Sequence, residues 1–129
     1  METKTAYQAS DAELDEYGPR IIAILKCHIG RKNAITAKAI AAELGWCGRY
    51  DDRRVRMIIR RLVVERYELI GSADDSPSGS WLIDSPAEAR AYMADLKTRN
   101  LSIWERYRAI QKSAFIEFGI APEQLGFDF

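Results

Sequence analysis

Residues 49–66, RYDDRRVRMIIRRLVVER, decide the fold of this chain. The apolar residues of this stretch recur at helical spacing: Val55, Ile58, Ile59 and Leu62. On a helical wheel at about 100° per residue, these four positions fall within roughly 100° of arc. The opposite face presents Arg53, Met57, Arg60 and Val64, with Arg56 and Arg61 on its flanks. The pattern predicts a helix with one side in a hydrophobic core and a cationic outer side. Asp51 or Asp52 is the predicted N-cap, because a carboxylate there accepts backbone N–H groups and suits the helix dipole.

Two helices and a short strand are predicted ahead of this stretch. Gly18-Pro19 predicts the start of a first helix over residues 19–29, with Pro19 at the first helical position. A short strand is predicted at Ala34-Ile35. Thr36 is the natural N-cap of a second helix, which covers residues 37–44.

A β-hairpin and a long helix are predicted after the arginine-rich stretch. Short apolar runs at residues 69–73 and 80–83 flank the turn-rich hexapeptide DDSPSG, which predicts a hairpin. Ser85-Pro86, with Glu88 three residues after the cap, predicts the start of a helix that runs to about Phe118. The predicted fold class is therefore mainly α with a small β-hairpin.

Charge is distributed in blocks along the chain, although the 19 basic and 19 acidic residues cancel. Residues 1–17 carry a net charge of −4, residues 18–66 carry +8, and residues 67–88 carry −5. Residues 89–112 carry +4. A block of one sign sets the local potential whatever the total charge is, so zero net charge does not exclude a polyanionic partner. The alternatives are that the arginines form a solvated face or bind an acidic protein.

Sequence features that indicate an enzyme, a metal site or a membrane protein are missing. The chain has two cysteines and one histidine, which make a poor zinc set, and it shows no glycine-rich phosphate loop and no nucleophile–base pair. No apolar run approaches the length of a membrane span, and the N-terminus lacks a signal-peptide core. We therefore expect a cytoplasmic protein that is not an enzyme and uses no metal or cofactor.

The long helix carries an apolar seam that predicts self-association. Its positions alternate in steps of three and four residues, as in a coiled coil: Met93, Leu96, Asn100, Ile103, Tyr107 and Ile110. Asn100 lies at an a-type position, where a lone Asn fixes register and favours a parallel pair. The alternative is that the seam packs on the chain's own core, and the flanking Arg99 and Arg106 would not attract a second copy.

Three segments together resemble small winged helix-turn-helix proteins of phages and prophages. The segments are GRKNAITAKAIAAELGW (30–46), DDRRVRMIIRRL (51–62) and ELIGSADDSPSGSWLI (68–83), followed by the Ser-Pro-capped helix. The resemblance covers about residues 18–115. Together with the acidic N-terminal block, the seam and the C-terminal segment, it divides the chain into four parts: an acidic flexible tail (1–17), a winged helix-turn-helix domain (18–84), a long helix with possible dimerisation (85–118) and a C-terminal tail (119–129).

The resemblance implies that the third helix reads the major groove of double-stranded DNA while the hairpin serves as a wing. The DNA-binding residues expected on this basis are Arg31, Lys32, Thr36, Lys38, Arg49, Arg53, Arg54, Arg56, Arg60 and Arg61. The loop of the wing departs from the pattern, because Asp74 and Asp75 would be repelled by phosphates and the loop has no basic residue. The expected function is that of a phage-type transcriptional regulator or a replication accessory.

The C-terminal segment QLGFDF suggests a protein partner. It resembles the short peptide by which proteins dock on the bacterial sliding clamp, with Gln124, Phe127 and Phe129 in the matching places, although Phe127 stands where Leu is usual. The alternative is that both phenylalanines pack on the chain or on a second copy. The tail and the acidic wing also support a second functional hypothesis, a phage-borne interaction module or inhibitor of a host machine that reuses the winged-helix fold.

Overall fold

Four helices and a two-stranded antiparallel sheet make up the computed structural model, which describes residues 9–119. The elements in chain order are α1 (Asp11–Leu25), a 3-10 turn (Arg31–Asn33), α2 (Ala37–Glu43), α3 (Asp51–Arg66), β1 (Ile70–Ala73), β2 (Gly79–Leu82) and α4 (Pro86–Phe118). The prediction of a mainly helical chain with a small hairpin and a long C-terminal helix is confirmed. The chain divides into two compact units, Met1–Ala89 and Arg90–Phe129.

Helix α1 begins eight residues earlier than predicted. Ser10 caps it in a capping box: the Glu13 N–H donates to Ser10 Oγ (3.1 Å), and the Ser10 N–H donates to Glu13 Oε1 (3.3 Å). Leu14 in the second turn is 2% exposed, so this part of the helix is packed in the core. The prediction that residues 1–17 form a flexible tail is therefore wrong for residues 11–17, and residues 1–8 lie outside the described part of the chain.

Pro19 lies inside α1 and not at its first position, and the helix ends at Leu25 rather than at residue 29. A proline in a helix interior removes one backbone hydrogen bond and disfavours the helical turn before it. Apolar packing offsets this cost here, because Leu14 and Ile21, on either side of Pro19, are both buried. The preceding Gly18 is also buried, and a Cβ at that position would lie 3.1 Å from a methyl group of Leu62, so the glycine allows α1 to approach α3 closely.

Helix α3 has the predicted bounds and the predicted core face. Its four apolar positions are all buried: Val55, Ile58, Ile59 and Leu62. The predicted cap is wrong, because Tyr50 is the N-cap residue and makes no side-chain capping bond. The Asp51 carboxylate accepts a hydrogen bond from the Gly48 N–H, which stabilises the loop before the helix. Tyr67 in the left-handed region (φ 57°) ends the helix.

Helix α2 begins as predicted, with Thr36 as its N-cap and the Ala39 N–H donating to Thr36 Oγ1 at 3.1 Å. The predicted hairpin is also present, and Gly71 pairs with Trp81 across it. A Cβ on Gly71 would come within 2.4 Å of the Trp81 ring, so only glycine leaves room for the indole, which is 1% exposed. The short strand predicted at Ala34-Ile35 is reduced to a single bridge between Ile35 and Ser80.

Strand β2 is hydrogen-bonded along both edges. One edge pairs with β1, and the other exchanges backbone bonds with residues 28–30 and with Ile35. On that second edge, the Gly30 N–H donates to the Leu82 carbonyl, the Leu82 N–H to the His28 carbonyl, and Ser80 and Ile35 each donate to the other. The hairpin is thereby joined to the segment that leads into α2.

Helix α4 has the predicted bounds, and the Glu88 N–H donates to Ser85 Oγ at 3.2 Å, as expected of a Ser cap. The Glu88 carboxylate accepts a hydrogen bond from the backbone N–H of Arg31 (3.0 Å), and not from the N–H of Ser85 as in a capping box. None of the residues of α4 is buried. No helix within residues 9–119 is both long enough and apolar enough to cross a membrane.

Candidate functional site

The arginines of α3 fall into two sets, and Arg54 shows how the inner set is used. Its Nε donates to Glu13 Oε2 on α1 at 2.7 Å. Its guanidinium carbon lies 4.0 Å from the ring centroid of Trp46 and 5.4 Å from that of Tyr17, which are cation–π distances. The side chain of Arg54 is 33% exposed and that of Glu13 is 20% exposed. Arg54 therefore links α1, α3 and the loop after α2.

Arg61, two turns further along α3, makes a similar connection to the N-terminal end of α1. Its guanidinium donates to the Ala9 carbonyl (2.9 Å), to the Asp11 carboxylate and to both carboxylate oxygens of Glu65. The hydrogen bond from Arg61 lowers the pKa of Glu65 below its ordinary value, and Arg61's own pKa is raised by the same bond and by Asp11. Arg66 completes the set by pairing with Asp15 at 2.8 Å. We call Arg54, Arg61 and Arg66 the inner arginines.

The second set, the outer arginines, consists of Arg53, Arg56 and Arg60. All three are exposed, and at about 100° per residue they fall within roughly 60° of arc on the side of α3 opposite the core. Arg56 pairs with Asp52 one turn earlier at 3.2 Å, an exposed i,i+4 contact of the kind worth a few tenths of a kcal/mol. Across residues 9–119, Arg53 and Arg60 form no ion pair. The outer arginines therefore give α3 an exposed, largely uncompensated cationic face.

The other predicted DNA-binding residues are divided in the same way. Arg31 donates to Asp75 in the hairpin loop at 2.9 Å, so each compensates the other's charge. The Thr36 hydroxyl oxygen accepts the capping bond of α2. Lys32 and Lys38 are exposed and form no ion pair within the described range, and Arg49 is exposed with its guanidinium 5.6 Å from the Tyr50 ring centroid.

The sequence prediction placed Arg54 and Arg61 in one DNA-binding group with the outer arginines, and the structure separates them. Arg54 and Arg61 form ion pairs with carboxylates of the first unit. The outer arginines, Arg53, Arg56 and Arg60, are exposed to solvent. Sequence reasoning missed Glu13 as the partner of Arg54. The signal that could have found it is the Ser10–Glu13 capping box, which makes residues 11–17 helical and so carries the acidic side chains to α3.

A cleft of about 550 Å³ lies between the N-terminal ends of α1 and α3. Its lining residues are Glu13, Tyr50, Asp51, Arg53 and Arg54. Carboxylates and guanidinium groups both line it, so the cleft does not favour an anion or a cation. The described part of the chain contains no group of three or more His, Cys, Asp or Glu side chains that could hold a metal ion.

The predicted seam of α4 lies on the second unit, and its side chains are exposed. Met93 is 65% exposed, Ile103 is 62% exposed and Ile110 is 70% exposed, while Leu96, Asn100 and Tyr107 are also in the exposed class. Trp104 stacks on Tyr107 with ring centroids 5.5 Å apart. The predicted tail residues Gln124, Phe127 and Phe129 lie outside residues 9–119.

Comparison with protein-family models, with curated proteins and with solved structures finds no match to this chain. What can be inferred about its function therefore comes from its own side chains, and above all from the division of the α3 arginines into two sets.

Proposed function

We propose that this protein binds double-stranded DNA through the outward face of α3, as a cytoplasmic, phage-type transcriptional regulator or replication accessory with a winged helix-turn-helix domain. The observation that carries the proposal is the set of outer arginines. They are exposed on one face, and two of them have no acidic partner within residues 9–119. The chain has zero net charge, and its inner arginines are paired with carboxylates while Arg53 and Arg60 are not paired in the described part of the chain. Positive potential is therefore concentrated on the outer face of α3, where a polyanion can bind.

The order and contacts of the elements support the winged helix-turn-helix assignment. Helix α2 packs directly against α3, and a two-stranded hairpin follows α3 in the chain. The Ile35–Ser80 bridge supplies the short third strand that the pattern expects between the first two helices. In a helix-turn-helix protein, the second helix of the pair enters the major groove, whose width of about 12 Å admits an α-helix. In this chain that helix is α3.

The chemistry of the outer face suits DNA. An arginine fork can hold two oxygens of a phosphate or the O6 and N7 atoms of guanine. Arg53 and Arg60 are seven residues apart, so their Cα atoms are separated by about 10 Å along the helix axis. That distance corresponds to about three base-pair steps of 3.4 Å, which is the reach expected of one recognition helix.

The acidic loop of the hairpin limits what the wing can do. Asp75 is compensated by Arg31 (2.9 Å), but Asp74 has no basic neighbour within its own loop. We infer that the hairpin lies beside the DNA and does not insert into a groove, so that α3 makes the main contact. Lys32 and Lys38, both exposed, are the additional residues proposed to contact the phosphate backbone.

The test is fluorescence anisotropy with a labelled random-sequence duplex at about 50 and 200 mM salt. Contact with about five phosphates gives a log–log slope near −4 to −5, and each outer arginine removed reduces the slope by about 1. We expect the Arg53→Ala/Arg60→Ala double variant to lose at least about tenfold in affinity at the lower salt. The matched control is Arg108→Ala/Lys112→Ala, which removes the same charge from exposed positions of α4. Equal affinity for the outer-face variant and the control would refute the proposal.

The runner-up function, a protein-interaction module or inhibitor of a host machine, is favoured by one observation. At and just after the C-terminal end of α3, three large hydrophobic side chains are exposed: Val64 (60%), Tyr67 (85%) and Leu69 (59%). Exposed apolar side chains grouped together mark interaction sites, and aromatic residues such as Tyr are enriched at protein interfaces. A pull-down from bacterial lysate that recovers one stoichiometric partner, lost in Tyr67→Ser, would support this function if DNA does not bind.

A further inference from the structure

Helix α4 presents an exposed apolar seam in the second unit, and the charged residues beside the seam indicate which partner packs on it. Seam residues Met93, Ile103 and Ile110 are more than 60% exposed, and no residue of α4 is buried. From Met93 to Ile110 the seam follows strict heptad spacing, with a positions at 93, 100 and 107 and d positions at 96, 103 and 110. We propose that α4 pairs with the α4 of a second copy of this chain, as a parallel, in-register two-stranded coiled coil over this segment.

The charges beside the seam select the parallel arrangement. In a parallel pair, each g position faces the e position of the next heptad on the other helix. Arg99 then faces Trp104 of the second copy, and Arg106 faces Gln111 of the second copy. Neither contact places like charges together, and the first allows a cation–π interaction between helices. That these arginines would not attract a second copy by charge is therefore no obstacle to this arrangement.

The antiparallel arrangement brings the same arginines into conflict. If the segment from Met93 to Ile110 is aligned end to end in opposite directions, g positions face g positions, and Arg99 of each helix meets Arg106 of the other. The two resulting arginine pairs repel at both sides of the centre. The ion pair of Arg99 with Asp95 one turn earlier (2.7 Å) compensates part of this charge, whereas Arg106 forms no ion pair within residues 9–119.

Asn100 supports the same orientation. It occupies the central a position and is exposed in the single chain. In the parallel register it meets Asn100 of the second copy, and the two amides can hydrogen-bond to each other. In the antiparallel register it meets the apolar Ile103 instead, which leaves a polar amide without a partner in the seam. The pairing is independent of whether α3 binds DNA.

The oligomeric state is tested by light scattering on the full-length protein over a hundredfold concentration range. The mass should rise from 14.7 kDa to twice that value. Ile103→Lys should raise the dissociation constant of the dimer by roughly 100-fold or more, because both copies lose a buried seam residue and two charges then meet. Leu101→Lys is the matched control, since Leu101 is 51% exposed but lies off the seam. A monomer at all concentrations, or equal loss of dimer in both variants, would overturn the proposal.

Orientation is tested by disulfide cross-linking in a background that carries Cys27→Ser and Cys47→Ser, since both native cysteines are exposed and free. Met93→Cys alone should form a covalent dimer, because position 93 meets itself only in the parallel register. A mixture of Met93→Cys and Ile110→Cys chains should give no mixed dimer, whereas the antiparallel register predicts mixed dimers only. Recovery of the mixed product would overturn the parallel assignment even if the protein is a dimer.

Discussion

The substitution Arg54→Ala separates the inner arginines from the outer ones most sharply. A charge-assisted hydrogen bond of the Arg54–Glu13 type contributes about 1.5–3 kcal/mol net, and a cation–π contact with Trp46 adds about 1 kcal/mol. Because the side chain of Arg54 is 33% exposed, solvent screening reduces this total. We expect Arg54→Ala to lower the free energy of unfolding of the first unit by about 2–3 kcal/mol. Arg53→Ala should change it by no more than about 0.5 kcal/mol.

Urea unfolding followed by tryptophan fluorescence measures this difference. The variants are made in a Trp104→Phe background, so that the emission comes from Trp46 and Trp81, which both lie in the first unit. A double-mutant cycle with Glu13→Gln isolates the pairwise term, for which we expect a coupling of about 1–2 kcal/mol. Glutamine keeps the size of the side chain and can still accept the Ser10 N–H bond of the capping box.

DNA affinity should respond to the same two substitutions in the opposite order. Arg53→Ala should weaken binding, whereas folded Arg54→Ala protein should bind almost as well as the parent. Equal destabilisation by the two substitutions, or a coupling energy near zero between residues 13 and 54, would refute the division into inner and outer arginines. It would also remove the physical reason for assigning DNA contact to one set and structure to the other.

Two further substitutions test the packing and the ion pairs of the first unit. Gly71→Ala places a methyl group 2.4 Å from the Trp81 ring, and this overpacking should lower the free energy of unfolding by about 1–3 kcal/mol, which thermal unfolding measures. An unchanged melting temperature would mean that the indole can move aside. Glu65 has its pKa held below the ordinary 4.5 by Arg61, so its pair contributes stability above about pH 4.5 and loses it as the pH falls through the lower folded-state pKa. Glu65→Gln should therefore destabilise the protein at pH 7, and the effect should shrink as the pH falls below about 4.5. An effect in urea titrations that stays constant as the pH falls would contradict this assignment.

Local signals in the sequence predicted the elements that depend on them. The bounds of α3 and α4 follow from apolar spacing and from the Ser85-Pro86 start, and the start of α2 follows from Thr36. The start of α1 was mispredicted because two start signals compete: the capping box at Ser10 lies upstream, and Gly18-Pro19 resembles a start but is inside the helix. Only the burial of Leu14, which depends on the folded core, decides between them.

The sequence predicted which arginines lie on the exposed face of α3, but it did not predict which carboxylates the inner arginines contact. Helical periodicity shows that Arg53 and Arg60 lie opposite the core, and this holds in the structure. It cannot show that Arg54 meets Glu13, because 41 residues separate them in sequence and their contact arises only when α1 packs on α3. The acidic N-terminal block, predicted to be a flexible tail, supplies the carboxylates that compensate the inner arginines.

The backbone pairing of strand β2 on both edges has a consequence for the dynamics of the hairpin. To swing away from the domain, β2 would have to break four backbone hydrogen bonds to residues 28–30 and to Ile35 in one step. The hairpin strands and the segment before α2 should therefore open together, as one cooperative unit, and their amide protons should exchange with deuterium at one shared slow rate. The loop at residues 74–78, which lies between the strands, should exchange quickly. An insertion in that loop should leave the amide exchange rate of the strands unchanged. The loop is therefore the place where a probe can be attached without destabilising the rest of the unit.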